Sequence, residues 1–351
     1  MRRREMRFVP CFSRRKLLAG PLALGLVGSM PGHLRASAEG KSVFMVLWRG
    51  ETEVEEGFYA HFAEAGVSID VTVRSLDRDV SKLPSIIAEI ERVQPDLVYT
   101  WGTSVTLGIA GRDPELAEGP DDYPPMILDR PILFTMVSQP VRSRVIESFG
   151  PTGRNVTGVS HIVPVETQVK AMLAYMPVDR IAVIFTPTET NSVLAVEQLA
   201  AFGDREGIRV DEFPVPLDSE GNPSRQALPE LIDKAADGGP QFLYLGPDSF
   251  IGEHAKYITG LANDRRLPSF ASTERMLAAS DALYGLVAPY RKVGRFTATK
   301  AERILCGEEA VSDIPVEVMP EFSYQIRADV AQSLNILPNL SLLDYAEIIG
   351  Q

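Results

Sequence analysis

Cysteine is scarce in this chain: Cys11 and Cys306 are its whole complement in 351 residues. Two cysteines set up neither a disulfide framework nor a thiolate metal site. Histidine is scarce too, four in all. None stands in an H-E-x-x-H arrangement, which would hold zinc on one helix face. His61 and His254 fall in helical patterns, and only His161 could border a cleft. G-x-S-x-G elbows and P-loops are missing. No G-x-G-x-x-G follows a strand, since "GTSVTLG" after Trp101 has the wrong spacing. These absences argue against an enzyme and imply no cofactor and no bound metal. No apolar run reaches the roughly 20 residues of a membrane span. Low-complexity tracts are also missing, as expected of a folded globular chain.

What is present begins with charge. Residues 1–16 carry six arginines and Lys16 against Glu5. The apolar stretch "LLAGPLALGLVG" (17–28) follows, then "RASAEG", with Ala36 and Ala38 flanking Ser37. Basic, apolar and small-x-small in that order is an export signal, with cleavage expected after Ala38. "SRRKLL" is similar to a twin-arginine signal, an address read by a receptor. The expectation is therefore an exported, periplasmic protein. Without residues 1–38 the chain holds 27 basic and 46 acidic residues, a formal net of −19. So acidic a surface argues against nucleic acid and anionic membrane as partners.

The remaining length suits two domains. "SVFMVLW" (42–48) is a continuous apolar run fit for a buried parallel strand. In the helix "LPSIIAEIERVQ", Leu83, Ile86, Ile87, Ile90 and Val93 recur at three- and four-residue steps. "DLVYTWG" and "PILFTMV" are further strands, separated by a Pro-, Gly- and Asp-rich loop over 111–130. After "GPTGRNVTGVS" (150–160) the strand–helix alternation restarts and runs through "LPSFAS". Alternation of this kind implies right-handed βαβ units and parallel sheets. The glycine-punctuated stretch is expected to be a flexible crossing between two lobes. The chain's tail, too short for a third domain, must pack on both.

Ligands of open parallel sheets bind beyond the carboxyl ends of the strands. The residues there are Trp48 and Arg49; Trp101, Thr103 and Ser104; Ser138 and Gln139; Thr186, Thr188, Glu189, Asn191 and Ser192; Asp248 and Ser249; and Ser272, Thr273 and Glu274. Such a set can hydrogen-bond and stack around a small polar molecule. Each Ser, Thr or Asp could equally be a helix N-cap. The two tryptophans could cover a ligand or the facing lobe.

"GRNVTGVS" with "VETQVKAMLAYMPVDRIAVIFTPTETNS", and downstream "LPSFAS" with "GRFTATKAERILCGEEAVSDIPVEV", resembles the ABC-transporter substrate-binding proteins that include the tryptophan/tyrosine-type binders. The resemblance implies a type I periplasmic-binding fold: two α/β lobes, each a parallel sheet flanked by helices, joined by three crossings and closing on a ligand. On this reading lobe 1 comprises 41–158 plus 283–311, and lobe 2 comprises 159–282 plus 312–351. Asn191, Ser192, Asp248 and Ser272 match the family's second-lobe positions. Gln139 stands where many members have aspartate, and it cannot pair ionically with an amine. The implied partners are a small-molecule ligand, in particular an amino acid, and an inner-membrane permease. The protein would act as a monomer, with Asp248 or Glu189 taking an amine. An exported enzyme and a ligand-presenting partner of a sensor kinase are the alternatives.

Overall fold

The computed structural model describes residues 40–116 and 123–350. The expected signal segment, 1–38, lies outside the described residues.

The first lobe opens with β1 (Lys41–Leu47), α1 (Glu53–Ala65), β2 (Ile69–Ser75), α2 (Leu83–Val93), β3 (Leu97–Trp101), α3 (Thr103–Ala110), β4 (Ile132–Thr135) and β5 (Val156–Ser160). The second contains α4 (Val165–Tyr175), β6 (Arg180–Phe185), α5 (Thr190–Glu206), β7 (Arg209–Pro214), α6 (Leu228–Asp237), β8 (Phe242–Leu245), α7 (Ser249–Glu253), α8 (Ala255–Asp264), β9 (Ser269–Ala271), α9 (Glu274–Ala278) and β10 (Tyr284–Val287). The tail supplies α10 (Tyr290–Leu305), β11 (Glu317–Val318), β12 (Ser323–Arg327), α11 (Ala328–Leu334), α12 (Leu340–Leu343) and β13 (Ala346–Ile349).

Six strands form one sheet, in the order β11-β5-β4-β3-β1-β2, and seven form the other, β13-β12-β10-β9-β8-β6-β7. Every pairing is parallel except β10 with β12. The alternation of the apolar strands explains the layering. Val43, Met45 and Leu47 of β1 enter one apolar cluster, while Phe44 and Val46 enter the cluster on the opposite face. A strand buried on both faces needs such a run. Two further clusters enclose the second sheet in the same way.

Three expectations change. The stretch at 150–160 is not the flexible crossing: Val156–Ser160 is β5, paired with β4 along Val156–Val159 and with a further strand at Val159 and Ser160. Gly158 is there for packing, since a Cβ would lie 2.3 Å from Cδ2 of Phe134. Gly150 is tied to Val316 by two backbone hydrogen bonds of 3.1 and 2.8 Å. The chain crosses just after β5. Second, β10, expected with the first lobe, pairs with β9 and β12 in the second sheet. Third, β11, expected with the second lobe, pairs with β5 in the first. "VEVMPEFSYQI" is therefore split between two sheets, and Met319–Phe322 is a crossing. The others are 161–164 and 288–289, so three segments join the lobes.

The tail's α10 packs along α1 in the first lobe. Lys300 of that helix, 1% exposed, donates to Pro315 O at 2.5 Å and to Glu317 at 2.6 Å. The ion pair pins β11, and hence the third crossing, to the helix that follows the second.

Candidate functional site

The carboxyl ends of both sheets face each other across a cleft of about 800 Å³. Each wall is built by the turn that follows a strand. After β1 come Trp48 and Arg49; after β3, Gly102 and Thr103; after β4, Met136 and Ser138; after β5, His161. The second lobe contributes Thr188, Glu189 and Asn191 after β6, Asp248 after β8, and Thr273 and Arg275 after β9. Gly102 has φ 88°, so the turn from β3 into α3 requires glycine. Met136 has φ 57°, a left-handed conformation unusual for a side chain of its size.

On the first-lobe side Arg49, Trp101 and His161 carry polar groups without partners. The Arg49 guanidinium lies 4.6 Å from the ring centroid of Trp101, a cation–π contact. Among the described residues it makes no hydrogen bond or ion pair. Burial, and then the nearby Arg275, lower its pKa to about 10. Trp101, only 7% exposed, has its Nε1–H unpartnered. His161 meets the Tyr290 ring edge-on at 5.9 Å, and its Nδ1 is unpartnered. Burial, and then the charge of Arg49, hold the imidazole neutral, with a pKa of about 3.

On the second-lobe side the acids are occupied. Asp248 accepts from Thr186 N at 2.7 Å, Thr186 Oγ1 at 3.0 Å, Ser192 Oγ at 2.6 Å and Ile251 N at 2.8 Å. All four lone-pair positions are filled, so the carboxylate N-caps α7 and knits three turns together. The expected Asp248–amine pairing is thereby excluded in this arrangement. Glu189 accepts from Asn191 Nδ2 at 3.1 Å, Ser249 N at 2.8 Å and Ser249 Oγ at 3.0 Å. Burial, and then Asp248, raise its pKa.

Of the residues expected at the site, Trp48, Arg49, Trp101, Thr103, Ser138, Thr188, Asn191 and Asp248 do line the cleft. Ser192 and Ser272 do not: Ser192 serves Asp248, and Ser272 is 1% exposed beneath the floor. Gln139 is displaced as well, bonding instead to Gln198 across the lobes. Arg78, Arg275 and Tyr290 line the cleft without having been expected. The rule that found the others reaches two of them: Arg275 is one residue beyond Glu274, and Tyr290 follows the end of β10. Arg78 also pairs with Glu253 at 2.8 Å, from one lobe to the other.

Among the described residues no cluster of three or more His, Cys, Asp or Glu could hold a metal ion. No described helix is long and apolar enough to cross a membrane.

Residues 50–349 match the family described as ABC transporter substrate binding protein. The chain belongs to that family. Its members are binding proteins rather than enzymes. A tyrosine-binding protein of Clostridioides difficile is 25% identical over 272 residues, 77% of this chain and 72% of the relative. Among solved structures, an ABC domain in complex with L-Trp from Streptococcus pneumoniae has a TM-score of 0.71 at 21% identity, covering 88% of this chain and 100% of that one. A ligand-free, open substrate-binding protein from Clostridium difficile has a TM-score of 0.68 at 20% identity, covering 88% and 99%. These likenesses establish the two-lobed, type I periplasmic-binding architecture.

Proposed function

We propose that this chain is the exported, periplasmic solute-capturing component of an ABC importer. A small solute with a carboxylate and an apolar body enters the open cleft, the lobes close over it, and an inner-membrane permease reads the closed form. Trp48 and Trp101 supply the stacking faces. Arg49 takes the carboxylate, and Thr103, Ser138, Thr188 and Asn191 add hydrogen bonds. The protein works as a monomer, and the mechanism is hinge closure, not bond chemistry.

One observation carries this reading. A buried, unpartnered indole N–H, an unpartnered imidazole nitrogen and a half-buried guanidinium without an ion pair face a second lobe across a cleft that aromatic rings enclose. Buried polar groups without partners cost free energy, so a ligand that satisfies them stabilises the closed form. The names of the relatives put tyrosine and tryptophan first in any ligand panel.

The test is calorimetry and thermal melting of residues 39–351 against amino acids and small carboxylates, with solution scattering. A true ligand at a hundred times its Kd should add about 2.7 kcal/mol of stability and compact the particle. If no compound in the panel raises stability or changes the scattering, the reading fails.

A further inference from the structure

The charges around the cleft do not balance. Four acids stand at or beside it, and each has its own protein partners. Asp248 is saturated by four donors. Glu253 is paired with Arg78. Glu274 accepts the backbone N–H of Tyr290 at 2.5 Å. Glu189 holds three hydrogen bonds, leaving it one lone-pair position. Two guanidiniums, by contrast, have no ion pair among the described residues: Arg49 on the first lobe and Arg275 on the second, both lining the cleft. Of all charged groups, Arg275 is the one that most lowers the pKa of Arg49. Two guanidiniums without ion pairs thus line the same cleft, one on each lobe, and Glu55, the acid whose charge also reaches Arg49, is committed to Tyr99 and Thr52. Beside them the buried Nε1–H of Trp101 is unpartnered.

We propose that Arg49 and Arg275 form an anion clamp across the lobes: a ligand carboxylate bridges the two guanidiniums, and the ligand is an organic carboxylate with an apolar body whose recognition needs no ammonium group. Arg49 and Trp101 approach the carboxylate from the first lobe and Arg275 from the second, so the anion is held fully only when the cleft is shut. Without it, repulsion between the arginines favours the open form. With it, the repulsion becomes two charge-assisted bonds. Gln139 supplies no charge for an amine and turns away to Gln198. The body of the ligand lies against Trp48, Met136, Phe250 and Tyr290.

The inference rests on the capture reading above and refines its ligand. The experiment uses matched pairs on residues 39–351: L-phenylalanine with 3-phenylpropanoate, L-tyrosine with 3-(4-hydroxyphenyl)propanoate, and L-tryptophan with 3-(indol-3-yl)propanoate. The uncharged 3-phenylpropanamide is the control. The expected result is that a propanoate binds, its amino counterpart binds no more tightly, and the amide does not bind. Arg275→Gln, a change at an exposed side chain, should weaken the propanoate about 10- to 100-fold. In scattering it should also shift the unliganded protein toward the closed form, an effect that simple damage to the fold would not produce.

Amino acids binding tenfold or more tightly than their propanoates, with the preference lost in Glu189→Gln, would overturn the clamp while leaving solute capture intact. Equal binding of the amide, or an Arg275→Gln protein with unaltered affinity, would overturn it too. Silence of both series, with unchanged scattering, would remove the clamp and the capture reading together.

Discussion

Gln139 and Gln198 exchange two side-chain amide hydrogen bonds across the cleft, at 2.8 and 3.1 Å. One residue follows β4 of the first lobe and the other lies in α5 of the second, so the pair exists only while the lobes are together. Half-buried neutral bonds of this kind contribute about 0.5–1.5 kcal/mol each. Loss of both should therefore make Gln139→Ala bind ligand about 5- to 150-fold more weakly, mostly through faster release. Arg142 and Glu197 form the adjacent interlobe ion pair, and both are exposed. Arg142→Ala should change affinity little. Dissociation rates from surface-immobilised protein test both, and equal effects would refute the distinction.

Gly57 and Gly294 let α1 and α10 touch backbone to backbone. A Cβ at Gly294 would lie 1.8 Å from Val54 O, and one at Gly57 would lie 2.0 Å from Arg291 O. Neither obstacle is a side chain that can swing away. Gly294→Ala should cost about 3 kcal/mol or more of stability, because the helices must separate. Urea denaturation measures this, and a loss below about 1 kcal/mol would show that the contact is not so close.

His161 should make the protein acid-sensitive. Its folded pKa of about 3 lies below the ordinary value of 6.5. Between those values the unfolded chain binds the proton and the folded chain does not. Its contribution is therefore complete above pH 6.5 and is lost as pH falls toward 3, at up to about 1.4 kcal/mol per pH unit. Burial raises the pKa of Glu55 and Glu189, which acts in the opposite sense, so a difference is the right measurement. Between pH 7 and 4.5 the wild type should lose about 2.5 kcal/mol more than His161→Gln. Parallel losses in the two proteins would exclude His161 as the sensor.

Asp248→Asn should destabilise the second lobe. Each carboxylate oxygen accepts one backbone N–H and one hydroxyl, so two of the four donors would face an amide NH2 instead of an oxygen. The expected cost is about 2 kcal/mol, with ligand binding falling as the turns that carry Thr188 and Asn191 loosen. Circular dichroism melts and calorimetry are the readouts. An unchanged melting temperature with abolished binding would instead identify Asp248 as a direct ligand contact.

Much of this architecture was legible in the chain itself. Continuous apolar runs such as "SVFMVLW" mark strands buried on both faces, because a strand covered by helices has no face left for polar residues. The three- and four-residue steps of α2 mark a helix with one buried stripe. Trp48, Arg49, Trp101 and Asp248 were within reach because ligand-facing turns come at predictable strand ends. The partners of those residues were not. Asp248 reads alike as a cap or as an amine binder, and only its four donors, contributed by three turns, decide between them. β11 and β12, four residues apart, pair in different sheets, and no local pattern announces that.

Local chemistry thus determined the elements, the two α/β halves and the turns where a ligand could sit, since propensity, periodicity and strand-end geometry act over a few residues. Tertiary structure alone decided which turns face each other, that Gln139 latches to Gln198, and that Arg49 and Arg275 line one cleft from opposite lobes without an ion pair. Those relations depend on residues far apart in the chain, brought together when the two lobes pack across three crossings.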